Sequence, residues 1–131
     1  MLARLYKPED YPTVRAWFIA HGGQPVPASM LPRCGIVAES DGQPRAAAWL
    51  YQDNSVGMAW LAWMVSCPHQ PLFHVEQALS CVLGAAERVA RDLGYGVMLT
   101  MTEKPALGRW LRRQGFEANH EGMTQYFKPL T

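Results

Sequence analysis

No stretch of this 131-residue chain reaches the roughly 18 apolar residues of a membrane-crossing helix; the longest apolar run, Val56 to Cys67, is interrupted by Gly57 and Ser66. The N-terminus, Met-Leu-Ala-Arg-Leu-Tyr-Lys-Pro-Glu-Asp, lacks the basic and then apolar layout of a signal peptide, so the expected location is the cytoplasm. Charge is scarce, at 18% of residues against roughly 25% in a typical soluble domain. Twelve basic and eleven acidic side chains nearly cancel. Bulk charge therefore asks for neither nucleic acid nor an anionic membrane. Cysteine is also sparse. Cys34, Cys67 and Cys81 are odd in number and form no C-x-x-C pair, which reads as buried thiols in a reducing compartment.

What the chain has is apolar mass and breakers: 49% hydrophobic residues, five Trp, seven Met and ten Pro. The length suits one domain over 1–131, with no repeat, low-complexity tract or linker. Trp49, Trp60 and Trp63 fall in or beside apolar stretches, and the Met- and Trp-rich run around Met58 to Met64 reads as core. That run would become an interface only if one of its faces lacked helix cover.

Local signals give an order of elements. Leu2 to Tyr6 reads as a strand. A helix follows, with Asp10 as cap, Pro12 in the first turn, Tyr11, Val14, Trp17 and Phe18 at helical spacing, and Gly22-Gly23 as stop. Pro25, Pro27 and Pro32 make a loop with at most one helical turn at Ala28 to Leu31. Gly35 to Ser40 and Arg45 to Tyr51 are strands joined by the hairpin signal Asp41-Gly42. After a turn at Asp53 to Ser55 comes a third apolar strand, Val56 to Val65. Cys67-Pro68-His69-Gln70-Pro71 breaks it. Val75, Ala78, Leu79, Val82, Ala86, Val89 and Leu93 then form the stripe of the longest helix, closed by Gly94. Val97 to Met101 is a strand, a short helix runs from Pro105 to Gly115, and Tyr126-Phe127 is a last strand. The class is α/β (α+β): antiparallel hairpins, then a strand-helix-strand parallel crossover, with helices flanking a mixed sheet.

That order resembles the GCN5-related N-acetyltransferases (GNAT). Arg4-Leu-Tyr-Lys-Pro-Glu-Asp-Tyr is similar to the family's opening strand and acidic helix start. Val37-Ala-Glu-Ser-Asp-Gly-Gln-Pro-Arg-Ala-Ala-Ala is similar to its hairpin, and Trp63-Met-Val-Ser-Cys-Pro to the end of its fourth strand. Trp110-Leu-Arg-Arg-Gln-Gly-Phe resembles its helix ending in Gly-Phe. The resemblance implies a GNAT-like mixed central sheet and acyl transfer from acetyl-coenzyme A to an amine. It also places a R/Q-x-x-G-x-G/A loop after the fourth strand, whose glycine N–H groups close around the pyrophosphate. Here Pro71 stands in the Arg/Gln position, and Leu72, Phe73, His74, Val75 and Glu76 fill the glycine-rich stretch. The family's usual acid, a Tyr four residues before Gly-Phe, corresponds to Leu111, and a cofactor-contacting Asn to Lys104.

Several side chains remain as candidates. Glu39 is the counterpart of the family's inner-strand base, and it also lies two residues from a turn, where a solvated carboxylate is common. Met64, Val65 and Ser66 would offer main-chain groups to the pantetheine arm. His74 would donate to a phosphate oxygen, or stand at the helix start with no ligand. Cys67, His69 and His74 carry zinc-ligand chemistry but match no closed four-ligand spacing, so no metal is expected. Arg109, Arg112 and Arg113 suit the negative end of their own helix, or a phosphate or acidic partner.

Two functions stand side by side. One is an acetyl-coenzyme A-dependent acetyltransferase with a degenerate cofactor loop, acting on a small-molecule or protein amine. The other is a non-catalytic GNAT-fold binding or assembly module, similar to small phage-encoded proteins, with a protein partner and with Leu72 and Phe73 plugging the cleft.

Overall fold

The computed structural model describes residues 1–55 and 57–130; Val56, where the sequence starts its third apolar strand, lies outside them. Two units are described separately, Met1–Thr100 and Met101–Thr131.

The first unit is built on a five-stranded sheet in chain order: β1 (Leu2–Leu5), β2 (Gly35–Ser40), β3 (Gln43–Gln52), β4 (Met58–Ser66) and β5 (Val97–Leu99). The first four strands pair antiparallel; β4 and β5 pair parallel, as the crossover through a long helix requires. Asp41 (φ 54°) and Gly42 (φ 74°) turn β2 into β3 with two left-handed residues. A two-residue hairpin needs that geometry to match strand twist.

Helix α1 (Tyr11–Ala20) and helix α2 (Leu72–Asp92) flank the sheet. Alternation along β3 sends its side chains to both faces. Val37, Ala47, Trp49 and Val65 join Val14, Trp17 and Phe18 of α1 in one cluster. The residues between them, Ala46, Ala48 and Leu50, are also fully buried, on the face where α2 packs against β2, β3 and β4. The run Ala46-Ala47-Ala48 thus keeps both faces of the central strand slim enough for close helix approach. The buried stripe of α2 is Ala78, Leu79, Val82, Leu83, Ala86 and Ala90. Leu93, read in sequence as part of that stripe, lies past the helix and is exposed.

Three further expectations change. Asp10 precedes α1 but its side chain makes no cap bond there; it accepts instead from the Lys7 N–H at 2.8 Å, closing a preceding 3-10 turn, Pro8–Asp10. The β5 ladder ends at Leu99, short of Met101. In the second unit, α3 (Pro105–Arg113) forms as expected, but Tyr126-Phe127 forms no strand. Both rings are exposed, at 88% and 87%, and residues 117–130 carry no regular element. Two aromatic residues have β propensity, yet a strand exists only when a neighbour supplies its ladder. No helix among the described residues is long and apolar enough to cross a membrane.

Candidate functional site

Strand β4 carries the irregularity on which the site is built. Its register against β3 runs Leu50↔Leu61 and Trp49↔Ala62, then jumps to Ala47↔Val65. Two residues, Trp63 and Met64, therefore face one, Ala48, which is a β-bulge. Trp63 sits at φ 59°. A bulky side chain in the left-handed region costs about 1–2 kcal/mol, so the surroundings must hold it there. The indole Nε1–H of Trp63 donates to the Tyr51 hydroxyl at 2.8 Å, and that hydroxyl donates to the Met30 carbonyl at 2.6 Å. The bulge is thereby tied to the proline-rich loop, which Tyr11 anchors a second time by donating to the Val26 carbonyl at 2.7 Å.

On its other edge β4 pairs with β5 only from Met58 to Trp60. From Leu61 to Ser66 no strand among the described residues pairs with that edge. The Cys67 N–H donates to the Arg45 carbonyl at 2.8 Å on the β3 side. In a trans peptide the preceding carbonyl points the opposite way, so the Ser66 C=O looks out of the open edge. There it accepts a hydrogen bond from His21 Nε2 at 2.8 Å. His21 follows the last turn of α1 and was not singled out in the sequence. A histidine beside a glycine pair looks like an ordinary helix end, and only the packing of α1 brings it to β4.

Beyond Ser66 the chain turns sharply. His69 adopts φ 62° and the Gln70 amide donates to the Cys67 carbonyl at 2.7 Å, closing the turn. Pro71 precedes α2 and supplies no side-chain cap. Pro68 and Pro71 have no N–H, and that of Cys67 is already used, so these three positions offer an anion no main-chain donor. Leu72 and Phe73 do not plug a cleft: each is 72% exposed at the first turn of α2. His74 is exposed beside Phe73, with ring centroids 5.9 Å apart.

Of the other sequence candidates, Met64 is half-buried in the bulge, Val65 belongs to the α1-side core and Ser66 is buried. Glu39 lies at a bulge in β2 and its carboxylate accepts from Arg4 Nε at 2.9 Å. The same guanidinium reaches Asp10 with two bonds, of 2.8 and 2.7 Å. Through these bonds, and that of the Lys7 N–H, the Asp10 carboxyl is held below the usual range. Among the described residues no three His, Cys, Asp or Glu side chains gather as a metal set. In the second unit Arg112 meets Glu121 at 3.3 Å, an acidic partner from its own chain. Trp60 and Trp63, expected in the core, are 38% and 37% exposed. Trp60 faces Tyr51 across the ladder, on the same face of the sheet as Trp49 and α1, yet keeps more than a third of its surface open.

Comparison with solved structures gives the class. An aminoglycoside N-acetyltransferase, AAC(6')-Iy, in complex with CoA superposes with a TM-score of 0.69 at 16% identity, over 97% of this chain and 99% of its own. A protein from Agrobacterium tumefaciens that carries a provisional acetyltransferase name gives 0.73 at 16% identity, over 97% and 100%. N-acetylglutamate synthase from Neisseria gonorrhoeae, complexed with coenzyme A and N-acetyl-glutamate, gives 0.66 at 15% identity, over 87% of this chain and 28% of that one. The chain has the fold of the GNAT acetyltransferases. No protein-family model and no curated protein sequence matches it.

Proposed function

We propose that this chain binds acetyl-coenzyme A along the open edge of β4 and supports acetyl transfer to an amine. The observation that carries the reading is the combination at β4: a bulge held in strained geometry at Trp63, and an edge on which no strand among the described residues pairs from Leu61 to Ser66, with His21 at the Ser66 carbonyl. An extended amide-bearing arm is recognised by such an edge through main-chain groups, whatever the side chains are. Coenzyme-bound neighbours of the same fold support the choice of ligand.

Of Met64, Val65 and Ser66, Val65 turns its main chain to β3 like Cys67 two residues on. Met64 and Ser66 would therefore hold the arm by their backbone, the Ser66 C=O by exchanging His21 for it, and His74 would stand toward its phosphate end as a donor in place of glycine N–H groups. Acetyl-coenzyme A, when bound, supplies a thioester whose acyl carbon accepts the amine nitrogen as the C–S bond breaks. The protein's part is to position the amine and exclude water. In sequence position Leu111 corresponds to the family's Tyr acid and has no proton to give, so that proton comes from water or another group. Glu39 is engaged by Arg4, and as a base it would have to leave that pair.

The test is calorimetric titration with acetyl-coenzyme A, with desulfo-coenzyme A as the unreactive companion. Micromolar affinity for both is expected. No heat at millimolar ligand refutes the reading.

A further inference from the structure

A second feature lies at the Met58 end of the β3–β4 hairpin, away from the Cys67–Pro71 turn. Tyr51, Gln52, Asp53, Met58 and Trp60 line a shallow pocket of about 140 Å³. Tyr51 and Trp60 are cross-strand partners, with ring centroids 6.1 Å apart and planes tilted by 44°. Trp60 and Met58 are held at 38% and 36% exposure although they belong to the sheet. The Tyr51 hydroxyl, bonded to Met30 and Trp63, fixes its ring. Asp53 is likewise fixed: it accepts from the Ser55 N–H at 2.6 Å, and its carbonyl accepts from the Tyr95 hydroxyl at 2.7 Å. The hydrogen bonds from Ser55, side chain first and then backbone, lower the Asp53 pKa, so it is ionised at neutral pH.

Aromatic faces, a thioether and a fixed carboxylate together are complementary to an organic cation. At ~30 Å³ per water the pocket has room for about five water-sized groups. That fits an alkylammonium head rather than a whole large substrate. Trp60 lies three residues from Trp63 and four from Met64 on β4, so its backbone is ~10–13 Å along the strand from the bulge, with the Tyr51 hydroxyl reaching Trp63 between them. The pocket is too far to hold the nitrogen that would be acetylated at the bulge.

We propose that this pocket receives a second cationic group of the acceptor, so that the preferred substrate is a diamine or an amine bearing a distant ammonium. The proposal rests on the acetyl-transfer reading for its role and on Asp53, Tyr51 and Trp60 for its chemistry.

Binding alone is tested first, without coenzyme, by titrating n-butylammonium and its neutral counterpart 1-butanol while following the indole N–H resonances. Millimolar binding of the cation is expected, with 1-butanol at least fivefold weaker. Asp53→Asn keeps an oxygen for Ser55, and Trp60→Leu alters a half-exposed site, so both should fold; each is expected to weaken the cation about tenfold. Equal response to cation and alcohol, or no effect of either substitution, overturns the pocket. Transfer is tested next by thiol release with 1,8-diaminooctane against n-octylamine. A lower KM for the diamine, lost in Asp53→Asn while acetyl-coenzyme A affinity is unchanged, supports the proposal. Equal KM values overturn it. Cation binding in a protein that takes up no acetyl-coenzyme A keeps the pocket and removes its role in transfer.

Discussion

Placing a methyl group on Gly35 perturbs the packing that holds β2, β3 and the first strand together. A Cβ at this position would lie 2.6 Å from Cδ1 and 2.6 Å from Nε1 of Trp49, and 2.6 Å from Cβ of Tyr6. Carbon contacts are comfortable at about 3.5–4.0 Å, so each neighbour would have to retreat by roughly 1 Å. Neither is free to do so. Trp49 is fully buried between Phe18 and Tyr6, the latter packed edge-on with centroids 5.2 Å apart. The Tyr6 N–H also donates to the Gly35 carbonyl at 2.8 Å, which fixes the spacing of the two backbones. Overpacking of this kind costs about 1–3 kcal/mol. For a chain of this length, 2 kcal/mol corresponds to a fall in Tm of about 6–10 °C. Thermal unfolding of Gly35→Ala by circular dichroism reads the effect directly. A Tm within 1 °C of the wild type would refute the packing, because Trp49 would then have room that the structure does not give it.

Two more outcomes are expected. Asp10→Asn removes the charge facing Arg4 and should cost about 1 kcal/mol after allowance for partial exposure. The Asp10 pKa is lowered on folding, so this contribution is complete above the unfolded carboxylate value of ~3.9 and is lost as pH falls through the lower folded value. Urea unfolding should therefore show a gap between wild type and variant at pH 6 that narrows below pH ~4; a gap independent of pH contradicts the pairing. Tyr51→Phe deletes the hydroxyl that bridges Met30 and Trp63, with a loss of about 1 kcal/mol. The proline-rich loop should be cut roughly fivefold faster in limited proteolysis, and an unchanged rate would mean that the loop is held elsewhere.

Much of the fold is written in local chemistry and so can be read from the sequence. Asp41-Gly42 specifies its hairpin because both residues tolerate positive φ, and Gly22 and Gly94 stop their helices by the same means. The stripe of α2 is legible because a period of 3.6 persists over many turns, though its last member, Leu93, falls outside the helix. The exposure of Trp60 and Trp63 is not legible. An apolar run gives hydrophobicity, not the face that a helix will cover, and a bulge at Trp63 resets the alternation midway along it. The bulge itself has no sequence marker, since a Trp at positive φ is held by Tyr51 and the loop behind it, both distant in the chain. His21 is hidden for the same reason. The missing glycines after β4 are plain in the sequence, but the unpaired β4 edge depends on where β5 ends.

The most direct test of the account is the affinity of the purified protein for acetyl-coenzyme A, measured by calorimetry beside desulfo-coenzyme A. Recognition through the β4 main chain predicts micromolar binding of both, with the acetyl group and the thiol contributing little. Absence of binding at millimolar concentration would contradict it, and the open edge of β4 would then not be a coenzyme site.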